Sequence, residues 1–127
     1  MGALKSHRQR LGKWGETQAA QYLAGAGYAI LTRNYRTPYG EIDLVSRHET
    51  LEGQVLVFVE VKTRSSQAFG YPEESITASK QEHLLAGAQY YLQQHSDWEG
   101  GWRIDVIAIQ RLQQGAVQIR HFENAVR

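Results

Sequence analysis

The sequence predicts a single mixed α/β domain with the element order α-β-β-β-α-β-β. Two stretches, one near the start and one past the middle, place apolar residues at helical spacing. Five others have the β-branched or alternating pattern of strands. The length of 127 residues, 42% of them apolar, suits one buried core and leaves no room for a second.

Residues from about 9 to 26 form the first predicted helix: Ala19, Tyr22, Leu23 and Ala26 follow the i, i+3, i+4, i+7 pattern, and Gly27 supplies the stop. Tyr28 to Tyr35 reads as a strand, and Thr37-Pro38-Tyr39-Gly40 is turn chemistry. Glu41 to Arg47 alternates polar and apolar side chains. Gln54 to Lys62 contains the β-branched run Val55-Leu56-Val57-Phe58-Val59-Glu60-Val61. Short connections make these three strands an antiparallel meander. The segment 64–76, with Ser65-Ser66, Gly70 and Pro72, reads as a loop. A second helix is expected from about 78 to 95, capped by Thr77 or Ser75, with Leu84, Leu85, Ala88, Tyr91 and Leu92 as its apolar stripe. Trp102 to Gln110 is the fourth strand and, after a turn at Gly115, Val117 to Phe122 a short fifth.

Fourteen basic against thirteen acidic residues give +1, which excludes a basic nucleic-acid coat protein, an acidic tail and charge-driven disorder. Without cysteine there is no disulfide scaffold, thiolate nucleophile or Cys-ligated metal, and a reducing compartment fits. No apolar run approaches the roughly 18 residues of a membrane span. The start, Met1 to Arg8, is basic without the apolar stretch of a signal peptide, so the expected location is the cytoplasm and 1–8 reads as a basic arm. The charge is unevenly laid out. Lys5, Arg8, Arg10, Lys13, Arg33 and Arg36 face the single acid Glu16 within residues 1–36, a net +5 that leaves −4 for the rest.

The hairpin between the second and third strands carries the chemistry. If the four residues Thr50-Leu51-Glu52-Gly53 close it, Asp43 faces Glu60, Glu41 faces Lys62 and Val45 faces Phe58, all on one face. The reverse face, Ile42 and Leu44 against Val57, Val59 and Val61, is then wholly apolar, which argues for this register or one shifted by two. Opposed Cβ atoms stand about 4.5–5.5 Å apart. Two carboxylates at that separation repel unless a cation lies between them or one is protonated. Oxygen ligands suit Mg²⁺ or Mn²⁺. Lys62, on the same face roughly 7 Å along the strand, is placed to bind a phosphate or orient a water. Two acids and a lysine around a divalent cation make a phosphodiester hydrolysis site. The plain alternative is a solvated strand face with ordinary cross-strand ion pairs.

These residues resemble a family signature. Gly40-Glu41-Ile42-Asp43-Leu44-Val45 and Val57-Phe58-Val59-Glu60-Val61-Lys62 are similar to the paired motifs of the bacterial YraN-like proteins, predicted nucleases. Their fold is similar to the restriction-endonuclease superfamily and to archaeal Holliday-junction resolvases. Supporting matches lie at Gly12 to Ala20, Ser75 to Gln81 and Arg103 to Val106, so the resemblance spans nearly the whole chain. It implies a restriction-endonuclease-like core in the order αβββαβ, a mixed central sheet flanked by helices, with one extra short C-terminal strand. It implies metal-binding carboxylates at Asp43 and Glu60, a catalytic lysine at Lys62, and Glu16 completing the metal site from the first helix, against the alternative of a solvated helix acid. Glu41 reads as an outer group of that site or as a salt-bridge partner of Lys62. The superfamily's common Pro-Asp is Ile42-Asp43 here, with Pro38 five residues before the acid. Resolvase-like proteins cut two strands symmetrically, so the resemblance also implies a homodimer.

Other residues are read beside this site. Lys80 near the second helix start is a candidate phosphate contact or a surface lysine; Arg64, Lys13 and Arg10 are candidate backbone contacts. Arg103 and Asp105 read as a structural ion pair. His7, His48, His83, His95 and His121 lack metal-site spacing and read as surface or packing residues. The tryptophans and most tyrosines read as core and rim, with Tyr39 and Tyr71 in loops able to stack on bases. The expected function is a Mg²⁺- or Mn²⁺-dependent nuclease on DNA, branched or structured DNA included. The alternatives are a non-catalytic nucleic-acid-binding domain on the nuclease fold and a protein-interaction domain. A bound divalent cation would bring the formal total to about +3.

Overall fold

The computed structural model describes residues 6–65 and 76–126. Its elements are α1 (His7–Gly25), β1 (Ala29–Thr37), β2 (Gly40–Thr50), β3 (Gly53–Arg64), α2 (Ala78–Gln94), β4 (Gly101–Arg111), a single 3-10 turn (Gln113–Gly115) and β5 (Val117–Val126). The order is the predicted α-β-β-β-α-β-β. The strands form one mixed sheet in the order β1-β2-β3-β4-β5. The first three are an antiparallel meander, β4 lies parallel to β3, and β5 returns antiparallel to β4. Parallel neighbours need a crossover, and α2 supplies it.

Each helix covers one face of the sheet. Ala19 and Leu23 of α1 pack with Tyr28, Leu44, Val57, Val59, Ile107 and Ile109. Leu84, Ala88 and Tyr91 of α2 pack with Ile42, Val45, Leu56, Phe58, Ile104 and Val126. Burial on both faces explains why β3 and β4 read as continuous apolar runs. Both helices start on side-chain caps, the one on α2 as predicted, while α1 starts at His7, before the predicted residue 9. Ser6 and Gln9 form a reciprocal capping box on α1, and the Thr77 hydroxyl accepts from Lys80 N–H on α2. Gly27, at φ 93°, ends the first helix in a conformation that favours glycine.

Several details depart from the sequence reading. Ala26 caps α1 exposed and does not join its buried stripe. His7 and Arg8 stand in the first turn of α1, so that part of the basic arm is helical; residues 1–5 lie outside the described residues, as do the alternative cap Ser75, the loop residues 66–75 and Tyr71. The β2–β3 loop has two residues, since Thr50 pairs with Gly53, yet the register is unchanged and Val45 faces Phe58 as predicted. β5 extends to Val126, because Asp105 ties its far end to β4. The buried Asp105 carboxylate accepts from Arg103, from the His121 ring at 2.7 Å and from Asn124 N–H at 2.9 Å, spanning the break in the ladder between Ile104 and Val106.

The largest departure is at Asn34 and Asp43. Strict alternation would place Ile42 and Leu44 on one face, but Ile42 packs towards α2 and Leu44 towards α1. β1 does the same. Arg33 bonds to Thr17 on α1, whereas Tyr35 packs edge-on against Tyr91 of α2. Both strands switch faces where the ladder skips from Arg33↔Leu44 to Tyr35↔Ile42. The cause is Asn34, at φ 54°, a left-handed residue within a strand.

Candidate metal and phosphate site

The β2–β3 ladder runs from Thr50↔Gly53 to Leu44↔Val59 and stops one pair short of the expected Asp43–Glu60 step. Beyond it the Asp43 side chain replaces the backbone partner: its Oδ2 accepts from Val61 N–H at 2.8 Å. The acids are therefore gathered where the strands part, and the kink at Asn34 turns this corner towards α1. Glu16 arrives from that helix because α1 comes very close to β3. A Cβ on Gly15 would meet the Thr63 side chain, so only glycine permits the approach.

Oxygens of Glu16, Glu41 and Asp43 lie within 4.8 Å of one another. Glu16, Asp43 and Glu60 line one cleft of about 630 Å³ together with Lys62, Arg64 and Arg8. Glu60 is only 5% exposed, and its Oε2 has no hydrogen-bond partner among the described residues. Its Oε1 lies 3.5 Å from Lys80 Nζ.

The electrostatics follow from this crowding. Burial, then the neighbouring Glu60 carboxyl, push the Asp43 pKa from 3.8 up to about 8, against the opposing Val61 N–H bond. Burial also raises Glu60, with Lys80 and Lys62 pulling the other way. A hard divalent cation would satisfy the same corner. The donors are all oxygen, three carboxylates converge, and a buried carboxylate oxygen lacks a partner among the described residues.

The sequence-predicted residues are thus brought together, with their relations altered. Glu41, expected as an outer group or a partner of Lys62, stands within the carboxylate cluster; its cation is Arg36, at 4.0 Å. Among the described residues no ion pair joins Glu41 to Lys62. Lys80 pairs with Glu60, which its place at the α2 start did not foretell. Lys13 donates to Asn34 Oδ1 at 2.6 Å and lies 3.7 Å from Glu16. Arg10 is exposed on α1, next to the turn that carries Arg8. Tyr39 is half exposed in the β1–β2 turn.

Arg103 and Asp105 form the expected ion pair at 2.9 Å, in the Asp105 network and not in the cleft. Burial alone would raise Asp105, but bonds from His121, Arg103 and Asn124 hold it below the ordinary carboxylate value. His121 is more than packing, since Tyr22 holds its other ring nitrogen at 3.0 Å. His48 and His95 do pack, stacked on Tyr28 and Tyr91. Asn34 is the site residue that the sequence did not disclose; nothing around it signals a left-handed backbone.

The model of the uncharacterised protein family UPF0102 matches residues 15–109, a stretch that contains Glu16, Asn34, Glu41, Asp43, Glu60, Lys62 and Lys80. The chain belongs to the UPF0102 family. This is the YraN-like family that the hairpin motifs resemble. A UPF0102 protein of Syntrophotalea carbinolica is 46% identical over 118 residues, covering 93% of this chain and 92% of its own length. One of Roseiflexus castenholzii is 46% identical over 125 residues, covering 97% of this chain and 98% of that one. Among solved structures, that of Pyrococcus furiosus SfsA in complex with Ca²⁺ gives a TM-score of 0.36 at 12% identity, over 91% of this chain and 63% of the other. In this UPF0102 chain, no helix among the described residues is long and apolar enough to cross a membrane.

Proposed function

We propose that this UPF0102 protein is a Mg²⁺- or Mn²⁺-dependent nuclease that hydrolyses phosphodiester bonds of DNA, branched or structured DNA included, in the cytoplasm, on a restriction-endonuclease-like core. The observation that carries the reading is one cleft lined by Glu16, Asp43 and Glu60, whose buried Oε2 has no partner among the described residues, beside Lys62, Arg64 and Arg8. Glu16, Asp43 and Glu60 would hold the cation, with Glu41 at the edge of the same cluster. Bound there, it would supply Lewis-acid stabilisation of the charge developing on phosphate.

The chain's own groups do the rest. Arg8 and Arg64, at the cleft wall, bind phosphates flanking the scissile one. Lys62 donates its ammonium protons to a non-bridging oxygen of that phosphate, favouring the charge that builds as the bond breaks. Lys80 holds Glu60 in place from α2. Asp43 ties β2 to β3 beyond the end of their ladder by accepting from Val61 N–H, which fixes its carboxylate at the cleft.

The test is cleavage of duplex, single-stranded and four-way-junction DNA with Mg²⁺, with Mn²⁺ and with chelator. Cutting is expected with metal alone, and Asp43→Ala and Lys62→Ala are expected to lose it by at least about 10²-fold. Cutting in chelator, or full activity in both variants, contradicts the reading. Tight DNA binding with no cutting of any substrate supports instead a binding domain on the nuclease fold.

A further inference from the structure

Asn34 is built into the acidic corner on three sides. Its Nδ2 donates to Glu16 Oε1 and to Glu41 Oε1, each at 2.9 Å, so both amide protons go to the two flanking carboxylates. Its Oδ1 accepts from Lys13 Nζ at 2.6 Å. An ammonium cannot donate to an amide NH₂, so Lys13 fixes which end of the amide faces the acids. The backbone contributes too. Asn34, at φ 54°, lies across the hairpin from Asp43, in the gap between Arg33↔Leu44 and Tyr35↔Ile42. One residue thus makes the kink and spans two of the three clustered carboxylates.

We infer that Asn34 is a positioning residue for the cation site, presetting Glu16 and Glu41 around Asp43, and that Glu41 is itself a ligand of that cation. The inference rests on the metal reading of the cleft. It has support independent of the cluster's own hydrogen bonds in Glu60, whose buried Oε2 has no partner among the described residues and which lines one cleft with Glu16 and Asp43, two of the three clustered acids; Glu41 and Asn34 line the adjoining cleft, which shares Glu16. The amide draws two carboxylates close and adds no charge of its own; the compensating charges are Lys13 and Arg33, 3.7 and 3.8 Å from Glu16, and Arg36, 4.0 Å from Glu41. Outer groups that orient metal ligands typically account for 10–100-fold in metal affinity.

The experiment is calorimetric titration of the full chain with Mn²⁺ alone, with circular-dichroism melting of the metal-free protein alongside. Asn34→Gly keeps the left-handed backbone and removes only the amide. It is expected to fold and to bind Mn²⁺ at least about tenfold more weakly. Glu41→Gln, which leaves residue 34 untouched, is expected to weaken Mn²⁺ at least as much. The double variant should lose less than the product of the two, since Asn34 acts in part through Glu41. Unchanged Mn²⁺ affinity in either single variant, or fully multiplicative losses, overturns the inference while leaving the metal site standing. If the unaltered protein binds no Mn²⁺, the metal reading of the cleft fails, and this inference with it.

Discussion

Asp43 holds a proton at neutral pH in the metal-free protein because burial and Glu60 raise its pKa to about 8. In the unfolded chain it titrates near 3.8, so between these values the folded state binds the extra proton. The stabilisation is complete below about pH 3.8 and is lost as pH rises towards 8, at a slope of at most about 1.4 kcal/mol per pH unit. The raised pKa of Glu60 acts in the same direction. Urea unfolding in chelator should therefore show lower stability at pH 8 than at pH 5. Asp43→Asn should flatten that dependence and exceed the unaltered protein at pH 8; a parent that gains stability across the window would refute the buried-acid account. At this scale the sequence disclosed Glu60 and Lys62 as charges that interrupt an apolar run, and Asp43 because the hairpin register sets it opposite Glu60. It did not disclose Asn34, whose role depends on a backbone angle and on partners 7 and 18 residues away.

Between elements, the decisive contact is α1 on β3. Gly15 and Thr63 touch so closely that any side chain at 15 forces the helix outward and moves Glu16 with it. Gly15→Ala is expected to cost about 1–3 kcal/mol by overpacking and to weaken Mn²⁺ binding as Glu16 withdraws. Gly12, one turn earlier, has open space where its Cβ would sit, so Gly12→Ala should be neutral or stabilising by up to about 1 kcal/mol. Denaturant midpoints of the two variants decide it: equal losses would mean the close approach is not limiting. The helices and strands themselves were legible because periods of 3.6 and 2 are written in side-chain type. The β2–β3 register was legible for the same reason, since a slip would put apolar residues among the charges. The face switch at Asn34 was not, because each strand there still looks like an ordinary alternation.

Across the whole molecule, a formal charge of +1 conceals an acidic corner ringed by cations. Arg8, Lys62 and Arg64 share its cleft, and Lys13, Arg33 and Arg36 stand beside Glu16 and Glu41. DNA binding through about four of these contacts should weaken roughly 10²-fold between 50 and 200 mM salt. Affinity measured across that range tests it, and a flat response would argue against a phosphate-backbone partner. The sequence by itself determined the element order, the β2–β3 register and the residue types of the corner. Each of those is a local property, set by periodicity, turn chemistry or side-chain type. Only the tertiary structure decided that Glu41 joins the carboxylate cluster, that Lys80 holds Glu60 and that Asn34 links two acids to Lys13. Those relations arise from the kink in one hairpin and the close approach of one helix, and neither has a periodic signature to read along the chain.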